Sequence, residues 1–268
     1  MWQRWALILG IWSWLVGCGT SVEPPAAITL RGVGSDSLVP LVRHLGTTFT
    51  DAEPTITIEL DIANTQRALT RLQAGEIDFA LTTIQPPEIG SLQFIPIARD
   101  GLVLIVHPEN RAENLTLQDV NQLYRGQIFN WRDVQGTSGL DGLVQVIVRE
   151  PDSGTGQVFQ TYITPDQPMT PNARVFANSQ AIVNFVAQHP EAIGYVSQAH
   201  VVDKVKTVAI EELRPTPETL ANGAYPLSYV VYLVLPAKPS TVLRDFAEYI
   251  TGPAGQAQLA EWGFGRVN

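Results

Sequence analysis

The sequence predicts an α/β fold in two lobes. Short apolar runs alternate with amphipathic stretches from Ile28 onward, the pattern of strands alternating with helices. Of the 268 residues, 45% are hydrophobic and only 16% charged, enough apolar side chains for two cores at roughly 100 to 200 residues per lobe. Two strongly apolar runs, 102–106 and 227–235, stand far apart in the chain and read as strands that cross between lobes. One lobe is then expected from 28–103 plus 230–268 and the other from 104–229.

Each element follows from its local pattern. Residues 28–31 predict a strand, and Gly32-Val-Gly-Ser-Asp-Ser37 turns it into a helix carrying Leu38, Leu41, Val42 and Leu45. Pro40 falls in the first turn, where its missing N–H costs little. The alternation over 55–60 predicts a second strand, and Ala63-Asn-Thr65 opens a helix with Ala68, Leu69 and Leu72 that stops at Gly75. Residues 77–81 predict a third strand. Right-handed crossovers make the three strands parallel and bring their βα loops to one sheet edge. Further along, strands are expected over 102–106, 143–148, 193–196 and 227–235, and helices over 117–123, 158–163, 181–188 and 241–250.

Charge and cysteine usage remove several functions. A formal net charge of -9 lacks the basic surface that a phosphate backbone requires, so nucleic acid is not an expected partner. One cysteine and four histidines make no intramolecular disulfide and no zinc-ligand spacing. Residues 1–17 carry Arg4 as their only charge, followed by an apolar run of signal-peptide length, shorter than a bilayer span. It ends Leu15-Val-Gly-Cys18, which resembles a bacterial lipoprotein lipobox. That resemblance implies cleavage before Cys18, lipidation of its thiol, a tether over 18–27 and a location in the periplasm or at the cell surface.

Three loops share a chemistry. Gly34-Ser35-Asp36-Ser37, Asn64-Thr65 and Ser153-Gly154-Thr155-Gly156 each place small hydroxyl residues and glycines at the start of a helix. Helix N-termini offer unpaired N–H groups and about half a positive charge, so hydroxyls beside them complete an oxyanion cradle. Each loop taken alone reads as ordinary helix capping, and it is the convergence of all three on one sheet edge that points to an anion site. Arg149 lies four residues before Ser153, after a buried-type strand, and can offer a planar fork to an anion or form a surface ion pair.

Arg149-Glu-Pro-Asp-Ser-Gly-Thr155 resembles the Arg-x-x-x-Ser-Gly-Thr motif of phosphate-binding proteins, the extracytoplasmic receptors of bacterial ABC phosphate transporters. The resemblance continues through Gly32-x-Gly-Ser-Asp-Ser37, Gly75-Glu-Ile-Asp78, Leu115-Thr-Leu-Gln118, Gly126-x-Ile-x-Asn-Trp131, Ala192-Ile-Gly-Tyr-Val196 and Tyr225-Pro-Leu227. It implies a type II periplasmic-binding-protein fold with two crossover strands. The implied activity is capture of inorganic phosphate for an inner-membrane ABC permease, by a monomer without cofactor, metal or catalysis. Carried over by position, the phosphate site falls on Ser35, Asp36, Ser37, Thr65, Thr82, Thr83, Arg149, Ser153, Gly154 and Thr155.

The sequence departs from the family at informative places. Thr83 stands where some members have an aspartate that accepts the proton of the bound anion, leaving Asp36 or Asp152 as candidate acceptors. Ile84 and Gly156 stand where the family often has arginine. Other readings remain: another tetrahedral oxyanion, an organic solute stacked on Trp131, Trp262 or Phe264, or a secreted hydrolase using Ser153 or Asp152. Hydrolysis by Ser153 needs a histidine base, and His44, His107, His189 and His200 read as surface residues without a telling neighbour. Only one Asp-Ser-Gly copy exists, against the two carboxylates an aspartic protease needs.

Overall fold

The computed structural model describes residues 27–86, 90, 92–134, 141–165 and 167–267. The leader over 1–17, Cys18 and all of the tether except Ala27 lie outside the described residues. Among the described residues no helix is long and apolar enough to cross a membrane.

The first lobe opens with β1 (Ile28–Gly34), α1 (Val39–Ala52), β2 (Ile56–Ile62), α2 (Thr65–Gln73) and β3 (Phe79–Thr82). β1 pairs in parallel with both β2 and β3, which places the β1, β2 and β3 loops at one sheet edge. Gly32 lets the Phe79 ring lie against β1, since a Cβ there would run into the ring. α2 ends as expected at Gly75, whose φ of 70° is the left-handed conformation glycine adopts at no steric cost.

β4 (Gln93–Val106) belongs to both lobes. Its residues 93–101 pair antiparallel with β11 (Ser228–Leu235), and its residues 102–106 pair with β8 (Ala192–Ser197). The β4–β11 register shifts between Val231 and Tyr232, the latter opposite Pro96, where a missing N–H already breaks the ladder. β6 (Gln145–Arg149) and β7 (Arg174–Phe176) continue the order β2-β1-β3-β11-β4-β8-β6-β7. One curled sheet thus runs through both lobes, with β4 and β11 at the junction.

The second lobe also carries β5 (Asn114–Leu115), α3 (Leu117–Tyr124), α4 (Gly154–Tyr162), α5 (Ser179–Val186), β9 (Lys206–Thr207), β10 (Ala209–Ile210) and α6 (Pro217–Ala221). The chain then returns to the first lobe through β11, α7 (Thr241–Thr251) and α8 (Pro253–Glu261). The sheet is covered on both faces. Leu69 of α2 packs on Val33, Ala80 and Val234 of the sheet, while Ile182 of α5 packs with Val103, Ile105 and Ile147 in the matching layer.

Several elements were not expected. β7 is three residues long at the sheet edge, with Val175 exposed, so it shows no alternation to read. α8 falls in a stretch with Gly252, Pro253 and Gly255, yet Pro253 sits in its first turn and Gly255 permits close approach to the Tyr249 and Ile250 carbonyls. The organic-solute reading loses two of its aromatics. Trp131 and Phe264 are fully buried, and the Trp131 indole donates to the Glu191 carbonyl at 3.0 Å. The histidines also differ from expectation: His107, His189 and His200 are half-buried, and the His189 ring stacks on Phe185 at 3.7 Å.

Candidate functional site

The site lies where the β1, β2, β6 and β7 loops of the two lobes face each other. β1 delivers Ser35, Asp36 and Ser37 ahead of α1. Ser35 and Ser37 are buried, and their hydroxyls are hydrogen-bonded to each other at 2.8 Å. α1 has no side-chain cap; the Leu38 and Val39 N–H groups at its start donate to the Ser35 carbonyl at 2.9 and 3.3 Å, and Pro40 has no N–H to give. α2 is capped by Asn64, whose Oδ1 accepts from the Arg67 N–H at 2.9 Å, and Thr65 behind it is buried.

β6 delivers Arg149 and the turn into α4. Ser153 is the cap of α4: its hydroxyl accepts from the Gly156 N–H at 3.0 Å and donates to the Glu150 carbonyl at 2.7 Å. Its side chain is thereby spent on the loop itself, while the α4 terminus is aimed across the cleft. Gly154 lies against the first lobe so closely that a Cβ would stand 2.6 Å from the Ser35 hydroxyl. Asn64 donates to the Asp152 carboxylate at 3.0 Å, a second bridge between lobes.

The strongest bridge is ionic. The Arg149 side chain is 2% exposed and grips Asp36 with both fork nitrogens, Nη2 to Oδ1 at 2.8 Å and Nη1 to Oδ2 at 3.2 Å. Nη1 also donates to the Thr155 and Ser179 hydroxyls, and Nη2 to the Ala177 carbonyl. The backbone at this point is held from behind, where the Arg149 main-chain N–H donates to the Tyr195 hydroxyl at 3.1 Å. Burial pushes the Tyr195 phenol up to about 12, so it stays protonated.

Thr82 and Thr83, at the end of β3, are buried, and neither hydroxyl has a partner among the described residues. Buried hydroxyls are ordinarily paired, because leaving one unpaired costs about 1–3 kcal/mol. These two adjacent exceptions lie at the end of β3, on the sheet edge shared with the Ser35 loop. Between the lobes, a cavity of about 190 Å³ is lined by Ser35, Asp36, Asn64, Arg149, Asp152 and Ser153, among others. That is large enough for a small ion and its water.

In this neighbourhood Ser179 escapes the sequence reading, and His200, expected at the surface, is half-buried. Ser179 opens α5, and its N–H and hydroxyl donate to Asp36 at 3.1 and 3.3 Å. The Asn178-Ser179 cap signature was present, but with β7 unread nothing placed it at this sheet edge. His200 follows β8 with a buried Nδ1 that has no partner among the described residues. Burial holds its pKa below the usual histidine value, with Asp36 pulling up and Arg149 pushing down. No group of three or more potential metal ligands occurs among the described residues.

The comparisons with known proteins agree with this architecture. A phosphate-binding protein PstS of Staphylococcus epidermidis is 27% identical over 248 residues, covering 85% of this chain and 75% of its own. A Clostridium perfringens protein, described as a phosphate ABC transporter substrate-binding protein and crystallised with bound phosphate, superposes with a TM-score of 0.82. It is 26% identical and covers 90% of this chain and 100% of its own. An ABC-type phosphate transport receptor from Vibrio cholerae superposes at 0.74 with 24% identity, over 88% of this chain and 99% of its own. The two-lobed fold is that of the periplasmic binding proteins. Residues 19–254 match the PBP superfamily domain, and the chain belongs to that superfamily.

Proposed function

We propose that this chain is an extracytoplasmic receptor that captures inorganic phosphate between its lobes for an ABC importer. The observation that carries the reading is the pair of buried, unpartnered hydroxyls of Thr82 and Thr83, at the sheet edge where helix N-termini from both lobes converge. The motif spacing and the phosphate-binding relatives support the choice of anion. The donors are the hydroxyls of Ser37, Thr65, Thr82 and Thr83 and the leading N–H groups of α2 and α4. Arg149 and Asp36 clamp the lobes around them. Ser35 and Ser153 shape the two loops, and Gly154 and Thr155 present the α4 terminus. Arg149 acts on the anion chiefly as the clamp, since Asp36 occupies its fork.

The reading includes anchoring by lipid at Cys18, a monomeric receptor and no covalent chemistry. No histidine is hydrogen-bonded to Ser153, whose hydroxyl is engaged by its own loop, which disfavours the hydrolase.

Titration calorimetry on the anion-stripped protein tests the site. Thr82→Val and Thr83→Val keep side-chain shape and remove only the hydroxyl. Each is expected to weaken phosphate binding about tenfold, equivalent to about 1.4 kcal/mol. Thermal stability without phosphate should be unchanged or higher, because an unpaired buried hydroxyl has been removed. Unchanged phosphate affinity in both variants overturns the placement.

A further inference from the structure

Asp36 stands where it does because the second lobe offers a complete seat for a carboxylate. The seat consists of the Arg149 fork, the Ser179 N–H at the start of the eight-residue α5 and the Ser179 hydroxyl. Arg149 is almost fully buried, and its Nε has no partner among the described residues, so donor capacity remains even with Asp36 in place. The seat is continuous with the phosphate cradle, because Arg149 Nη1 also donates to the Thr155 hydroxyl in the first turn of α4 at 3.3 Å. A small anion with two charged heads therefore meets two adjacent seats, one of them filled by the protein itself.

We propose that Asp36 is a specificity-determining residue whose carboxylate plugs the Arg149–Ser179 seat. It thereby excludes anions in which a carboxylate stands one or two carbons from a phosphoryl group. The inference rests on the phosphate-receptor reading of the same cleft. A two-headed anion must displace Asp36, breaking a bidentate buried ion pair and stranding the displaced carboxylate. A one-headed tetrahedral anion leaves the pair intact. The plug is also tethered to Ser35 and Ser37, so displacing it distorts the first-lobe half of the cradle at the same time.

The test uses the purified full-length chain, freed of bound anion, and calorimetry with inorganic phosphate, phosphonoacetate and methylphosphonate. The wild type is expected to bind phosphate at least about 100-fold more tightly than phosphonoacetate. Asp36→Ala loosens the clamp for every anion, so the readout is a ratio: phosphonoacetate should gain at least about tenfold relative to the one-headed methylphosphonate. Asp36→Asn, which keeps the volume of the plug but loses its charge and one acceptor, should show a smaller gain. A folded Asp36→Ala protein in which the ratio of phosphonoacetate to methylphosphonate affinity is unchanged overturns the proposal. Asp36→Ser decides by the same outcomes if the alanine variant does not fold. Failure of the wild type to bind inorganic phosphate is a separate result, which removes the receptor reading itself.

Discussion

Replacing Gly154 by alanine separates folding from capture. The new Cβ would stand 2.6 Å from the Ser35 hydroxyl, 3.0 Å from Ser35 Cβ and 3.4 Å from the Ser37 hydroxyl. Non-bonded carbons settle at about 3.5–4.0 Å, so the α4 terminus and the Ser35 loop must part by roughly 0.5–1 Å. Hydrogen bonds to a shared anion would stretch from about 2.9 Å toward 3.5 Å or more, beyond useful range. Losing two anion bonds at about 1.5–3 kcal/mol each weakens phosphate by roughly 3–6 kcal/mol, a factor on the order of 100 to 10,000. Stability should not fall in parallel, because alanine is a better helix former than glycine by up to about 1 kcal/mol and the lobes can relieve the contact by opening. Calorimetry with phosphate and a thermal melt of the ligand-free protein read the two effects separately. A folded Gly154→Ala protein that binds phosphate as the wild type does would refute the view that the lobes close onto the anion at this contact.

Three further expectations concern the scaffold. Asp100 is fully buried on β4 at the lobe junction, accepting from Ser197 Oγ, Tyr229 Oη and the Gly101 and Gln198 N–H groups, and burial raises its pKa to about 6. Between about pH 4 and 6 the folded chain keeps a proton that the unfolded chain has lost, so this group's stabilisation falls as pH rises through that window, by up to about 3 kcal/mol. Urea unfolding of wild type and Asp100→Asn should diverge with pH only in that range, and a constant difference would contradict the assignment. Gln256 is buried and ties the Ile97 and Ile250 carbonyls and the Val267 N–H together. Gln256→Leu strands all three groups and should cost about 2–4 kcal/mol in denaturant unfolding. Ser153→Ala removes the α4 cap and should lower stability by about 1 kcal/mol, measurable in the same way.

The first lobe was readable because its strands and helices are long enough to show their periods. Residues 55–60 alternate cleanly, and Leu38, Leu41, Val42 and Leu45 recur at helical spacing, so the loops at Ser35 and Thr65 followed. The second lobe was readable only where it is regular. Its sheet edge is a three-residue strand with exposed Arg174 and Val175, too short to carry a period. Missing β7 hid the fact that α5 starts at the cleft, and with it the contact of Ser179 to Asp36. The Asp36–Arg149 pairing spans 113 residues and two lobes, a separation at which no local pattern operates. Residue type alone allowed Asp36 to be a cap, an acceptor or a counter-ion, and only geometry selects among them.

That pairing changes how the cleft can hold an anion. With Arg149 matched by Asp36, the two side chains contribute no net charge, and the chain as a whole is acidic. The positive potential must then come from oriented backbone. Three helices, α1, α2 and α4, start at the cleft with about half a positive charge each, roughly +1.5 in sum before losses to distance. This is comparable to the charge of a phosphate ion near neutral pH, and it is applied within hydrogen-bond range, whereas the acidic surface is screened beyond about 8 Å at physiological ionic strength. Such a cradle holds an anion by fixed dipoles whose orientation is set by the fold. Its affinity should therefore depend far less on salt than that of a site built from exposed lysines and arginines. Phosphate titrations at 0.05 and 0.5 M sodium chloride should differ by less than about tenfold. A loss of 100-fold or more would show that surface charge, and not the helix termini, holds the ion.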